Sequence, residues 1–304
     1  MSVVAGVAAG SYPAKRRTVA LLVGIAVWIA ALVLLPAPLA ARILLLGPLV
    51  VVPRLLPLLP ARPWVGRLAA WPVLLAALPL LVAFSIQPGP LAGAMVLPWL
   101  ALAMTAALAA VVDGMARLRA VVRPEQLTEL GVDVALGFWA VGAAFTAADR
   151  LGIPTGFSPT IVLLTATHFH FAGLGLLGLA SLMAVSRPWL RASVLGLIAG
   201  IPLTAAGFVL SSDAINAIGA VLVGLSGIGV AVALLGAPVS SSARWAQRAA
   251  GAALLLGMPM GIGWSIAILS GLTFLDLDTM IRTHGTLNAL AVVLGVVAHR
   301  TNEP

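Results

Sequence analysis

Three of the four histidines in this chain fall in two short motifs inside long apolar runs. The first motif reads Leu164-Thr165-Ala166-Thr167-His168-Phe169-His170-Phe171-Ala172-Gly173. An imidazole at hydrocarbon depth must find partners inside the protein, so a pair of them marks a site for ligation or proton transfer. Positions two apart on a helix diverge by about 200°. The two rings therefore face different neighbours and do not hold one ion between them. The second motif reads Arg282-Thr283-His284-Gly285-Thr286-Leu287-Asn288-Ala289. His284 and Asn288 are four apart, share a helix face and can meet one ligand or each other. Asp276 and Asp278 precede them, and Asp213 with Asn216 opens an earlier apolar run expected on the same side of the membrane. If these elements adjoin, His168 or His170 joins His284, Asn288 and Asp213 or Asp278 in the outer half of a helix bundle. Phe169, Phe171, Trp139 and Trp264 then supply aromatic faces for an apolar substrate or a developing cation.

Each of these residues has a plainer reading. A membrane histidine that only hydrogen-bonds a neighbouring helix contributes about 0.6 to 2 kcal/mol and needs no function. Two separate motifs on otherwise apolar helices favour function over that reading. The leading expectation is a cofactor-free intramembrane enzyme acting on a lipophilic small molecule, for example by acid-initiated cyclisation of a prenyl chain. There an aspartate or a histidine delivers the proton. A first alternative is a haem or a divalent metal held by His168 or His170 together with His284, because neutral imidazole suits both. A second is a transporter, for which Arg54 and the prolines Pro48, Pro53 and Pro57 in the second apolar run are the best support. No duplication between the halves of the chain accompanies them, which counts against transport. With no cysteine, disulfides, thiolate metal sites, iron–sulfur clusters and cysteine nucleophiles are excluded.

The elements that must position these residues follow from composition. At 62% hydrophobic, 9% charged and mean hydropathy +1.14, the chain lies far outside the soluble range. Apolar runs of spanning length predict an all-α, polytopic transmembrane bundle of about ten spans. They fall near 18–36, 41–60, 68–86, 91–112, 131–148, 159–184, 192–211, 214–236, 249–272 and 281–299. The expected organisation is a basic N-terminal tail over 1–17, one membrane domain over 18–300 and a short tail over 301–304. The stretch Asp113 to Glu129 reads as the one sizeable polar connection. Of 17 Lys and Arg residues, thirteen fall on the N-terminal side of this layout, three (Arg42, Arg150 and Arg282) on the other, and Arg54 within the second span. By the positive-inside rule both termini are expected in the cytoplasm of a multi-pass cell-membrane protein. The net charge of +8 thus reflects orientation in a lipid bilayer and does not imply nucleic-acid binding. Six tryptophans, Trp28, Trp64, Trp71, Trp99, Trp189 and Trp245, are expected near span ends as an interfacial belt.

From Phe138-Trp139 through Leu163-Leu164-Thr165-Ala166-Thr167-His168-Phe169-His170-Phe171-Ala172-Gly173, and again over Arg282 to Ala289, the chain resembles the YndJ-like family of bacterial membrane proteins. The two motifs are correctly ordered and spaced along more than half the chain. The family pattern has an aromatic hydroxyl after the second histidine, where this chain has Phe171, so a tyrosine role there does not carry over. The resemblance implies a membrane bundle and points to the motif residues, but fixes no activity. The His-Phe-His string also occurs in the main subunit of haem–copper oxidases, which needs several further intramembrane histidines and a tyrosine. Four histidines in all, and Tyr12 outside the spans, exclude that assignment.

Overall fold

In hydrocarbon a stretch of about twenty apolar residues satisfies its own backbone groups only as a helix, and the expected spans are helical over most of their described residues. The computed structural model describes residues 14–59, 71–118, 126–236, 243–273 and 275–299. Ten helical segments follow one another there: α1 (Ala14–Leu34), α2 (Leu39–Leu58), α3 (Trp71–Ser85), α4 (Pro90–Leu118) and α5 (Gln126–Leu151), then α6 (Pro159–Ser186), α7 (Pro188–Val209), α8 (Asp213–Leu235), α9 (Arg244–Leu269) and α10 (Leu277–Ala298). No strand occurs among the described residues.

Eight segments, α2 and α4 to α10, are long and apolar enough to cross a membrane. The apolar parts of α1 (Thr18–Leu34) and α3 are shorter, so ten expected crossings become eight candidate spans. The first helix stops at Leu34 ahead of Pro36 and Pro38, and the expected start of the third span at 68 lies outside the described residues. So do residues 1–13 and 301–304 of the expected tails, together with Trp64, Arg62, Arg67, Arg119, Arg123 and Arg300. The expected polar connection is mostly helix: α4 runs on to Leu118 and α5 begins at Gln126, because polar residues past the apolar stretch continue the helical hydrogen bonding.

Two helices form the centre. The hydrophobic windows of α2 and α6 are 83% and 78% buried, against 28% for α4 and α9. Sequential neighbours pack as hairpins, but α2 also packs against α6 and α10, and α6 against α10. These three helices carry both histidine motifs and the proline-rich segment. Each contains a π-helical turn: Gly47–Val51 in α2, Phe169–Leu176 in α6 and Ile281–Gly285 in α10. In α2 the widened turn coincides with Pro48, whose missing N–H and ring clash break the ordinary ladder, and Pro57 opens a final 3-10 turn.

The arginines of α2 cap neighbouring helices. Arg42 donates from Nε to Ala37 O (2.9 Å) and from Nη1 to Leu32 O (3.0 Å), satisfying carbonyls at and just beyond the end of α1. Arg54 donates from Nη2 to His299 O (3.1 Å) and Val297 O (3.5 Å), while Gln247 of α9 reaches Ala298 O (3.5 Å). The last carbonyls of α10 are thereby served from two helices. Arg54 is thus part of a helix cap.

A buried ion pair closes the other end of the bundle. Arg150 Nε lies 2.7 Å from Asp149 Oδ2, with side chains 13% and 5% exposed, and its guanidinium sits 4.7 Å from the centre of the Phe84 ring. Removing one partner strands the other away from water. Arg150→Ala should lower unfolding stability by about 3 kcal/mol, read as a fall in Tm in detergent. An unchanged Tm would show Asp149 to be hydrated.

Candidate functional site

The two histidines of the first motif are held by different surroundings. His170 is fully buried. Its Nδ1–H donates to Ala166 O (2.8 Å), and its Nε2 accepts from Trp99 Nε1 (3.1 Å) on α4. Both ring nitrogens are therefore used. The Trp99 and His170 rings lie edge to edge and nearly coplanar, 17° apart, as that hydrogen bond requires; Trp99 also meets Trp139 at 5.1 Å, and Gly142 and Gly47 let α5 and α2 close on the imidazole. The expected belt position of Trp99 is corrected: it is fully buried, because its indole N–H is the donor that His170 requires.

His168 points elsewhere. Its Nδ1–H donates to Leu164 O (2.9 Å), which leaves Nε2 as the lone-pair nitrogen. The residue is exposed on the bundle surface. The first turns of α2 pack against both the start of α6 and the π turn of α10. Counted from Pro159 and Leu277, His168 and His284 lie about 13 Å and about 10 Å inside their helices, at matching depth.

His284 is anchored by a third helix. Its Nδ1–H donates to Gly257 O of α9 (2.8 Å), possible because Gly257 and Gly261 present no side chain toward Asn288 and His284. Asn288 Nδ2 stands 3.0 Å from Nδ1 and 3.3 Å from Nε2 of this ring. The in-plane lone-pair directions of an imidazole diverge, so a single nitrogen nearly equidistant from both lies over the ring face. The Nε2 lone pair of His284 is left unused by that contact. The helix of His168 packs against the helix of His284, and the first turns of α2 touch both.

The remaining sequence candidates lie elsewhere. Asp278 pairs with Arg282 at 2.6 Å, both side chains about two-thirds exposed. Asp276 caps α10, accepting from Thr279 N (2.7 Å) and Thr279 Oγ1 (3.1 Å); the backbone hydrogen bond from Thr279 holds its carboxyl below the ordinary value. Asp213 is exposed at the start of α8, where Asn216 hydrogen-bonds Thr204 O across the α7–α8 hairpin. Trp139 is fully buried against Trp99, and Trp264 donates to Leu275 O (3.0 Å). Phe169 packs between Phe138 and Phe145, and Phe171 is buried. The group brought together is thus His284 and Asn288, with Gly257 O as an anchor that no side-chain pattern could reveal, while His168 lies on α6, which packs against α10.

Among the described residues no three His, Cys, Asp or Glu side chains gather to hold a metal ion. Comparison with known proteins finds no match among curated proteins or solved structures. The family model described as YndJ-like protein matches residues 42–292, which include both histidine motifs and all of the central helices α2 and α6 but their first few residues in α2. That match covers most of the chain, and the protein belongs to the YndJ-like family.

Proposed function

We propose that this is a multi-pass cell-membrane enzyme that moves a proton on a lipophilic substrate at His168 and His284. One observation carries the reading: an exposed imidazole deep within a spanning helix, at a level matching that of a second imidazole on a helix packed against its own. An exposed side chain at that depth is reached from the bilayer, which selects apolar molecules. In both rings the Nδ1–H is committed to a backbone carbonyl, so Nε2 is the basic nitrogen. His168 Nε2 takes a proton from the carbon beside a substrate carbonyl and returns it, directly or through His284 Nε2, to another carbon of the same molecule, so that a double bond moves and no charge is left over. The amide of Asn288 keeps the His284 ring in place.

Prenyl cyclisation started by an acid fits this group less well than base chemistry. Protonating a carbon–carbon double bond takes an acid much stronger than imidazolium, and Asp213 and Asp278 lie outside the group. A substrate carrying a carbonyl on an apolar chain suits it better. A second reading is favoured by the same carbonyl anchors, which are the usual outer partners of metal-bound histidines. A divalent metal would have only these two imidazoles, whereas a haem iron needs no more than two.

Proteoliposomes of the wild type, His168→Ala and His284→Ala, incubated with bacterial lipid extract in deuterated water, test the proposal by mass spectrometry. A deuterated or altered lipid formed by the wild type and lost in both variants is expected. Identical lipid profiles in all three would sink the enzyme reading. An absorption spectrum and metal analysis of the same samples decide the second reading: a Soret band or stoichiometric metal lost in both variants would make it primary.

A further inference from the structure

At the opposite end of the bundle, Arg187 and Arg191 have no carboxylate paired to them among the described residues. Arg187 closes α6, and Arg191 follows one short 3-10 turn later at the start of α7. His299 follows the end of α10, where Arg54 and Arg187 both act on it electrostatically. No hydrogen bond or ion pair from the Arg187 or Arg191 side chain to another described residue is present, and Arg191 Nε is buried without a hydrogen-bond partner. The carboxylates of α4 and α5 near this end, Asp113, Glu129 and Asp133, already have partners of their own. Trp245, 76% exposed near the start of α9, marks the depth as that of the membrane interface.

Helix ends account for part of this charge. The C-termini of α6 and α10 each present roughly half a negative charge. The guanidinium groups of Arg187 and Arg191 alone exceed that sum by about one charge, before any protonation of His299. We propose that the ends of α2, α6 and α10 and the start of α7 form a binding site for the phosphate of an anionic phospholipid headgroup, held by Arg187 and Arg191 beside Arg54 and His299. Basic pockets between helices at the interface take such headgroups. The site is separate from the two histidine motifs and does not depend on the enzyme reading.

The test uses the full chain in detergent, titrated with phosphatidylglycerol, phosphatidylcholine or inorganic phosphate and followed by native mass spectrometry and Tm. Retention of phosphatidylglycerol with a raised Tm, and neither effect from the other two, is the expected result. Each of Arg187→Gln and Arg191→Gln should weaken retention about fivefold. A direct readout comes from isotope-labelled His299, assigned with His299→Gln. Burial first, and then Arg54 and Arg187, hold its pKa below the ordinary 6.5. A phosphate seated beside it favours the imidazolium and should raise the value, and Arg187→Gln should remove that response. Equal effects of phosphatidylcholine would overturn the proposal, as would variants that retain lipid like the wild type. A shift with inorganic phosphate equal to that with the lipid would overturn the headgroup assignment in favour of a free anion.

Discussion

Gly142→Val should leave little folded protein, while Gly137→Ala on the same helix should fold normally. A Cβ at position 142 would stand 2.7 Å from His170 Nδ1, 3.0 Å from Cε1 and 3.1 Å from the Phe169 Cβ. The ring cannot retreat, because Ala166 O holds one nitrogen, Trp99 Nε1 holds the other, and Gly47 brings α2 against its far side. Either α5 moves away from α6 or both hydrogen bonds of a fully buried imidazole break. Overpacking costs about 1 to 3 kcal/mol, and an unsatisfied buried donor adds about 1 to 3 kcal/mol. For valine the sum approaches the whole stability of many domains. Position 137 has no atom within 4 Å of a Cβ, so alanine there meets open space and gains helix propensity. Thermal unfolding in detergent, followed by tryptophan fluorescence because Trp99 lies at the contact, distinguishes the two. Equal melting of Gly142→Val and wild type would show that α5 and α6 are less tightly joined than described.

That contact illustrates what the sequence could and could not convey. Apolar runs locate helices because backbone satisfaction in lipid is a local demand, and prolines locate the irregularities of α2 for the same reason. The opposed faces of His168 and His170 also follow from local geometry. The choice of neighbour is different. Trp99 and His170 are 71 residues apart, and nothing in either segment names the other. Aspartates were assigned to the site by the side of the membrane on which they were expected, which says nothing about adjacency around the bundle. Asp278 has a closer partner one turn away in Arg282, a local pairing that the i, i+4 spacing already contained. Arg54 looked like a charge lining a path, because the end of α10 that it caps lies more than 240 residues away. A carbonyl such as Gly257 O carries no side-chain signal at all.

The sharpest consequence is that the two histidines of one motif should fail in opposite ways. His168→Ala removes an exposed ring whose one hydrogen bond is to its own helix, so stability should change by less than about 1 kcal/mol. Turnover should fall by about a hundredfold or more, the usual contribution of a positioned base. His170→Ala removes a fully buried ring, opens a cavity against Gly47 and Gly142, and leaves the Trp99 N–H without an acceptor. Cavity and orphaned donor together should cost about 4 kcal/mol. The protein that still folds should keep its His168–His284 chemistry, since the Gly257 and Asn288 contacts of His284 do not involve His170. Asparagine at 170, which can still accept from Trp99, should recover part of the lost stability, whereas asparagine at 168 should recover no turnover. Melting temperature and product formation per folded molecule, measured on all four variants, separate the roles. If His170→Ala melted like the wild type but was inactive, the reacting group would be the Trp99–His170 pair, and His168 would have no part in the chemistry.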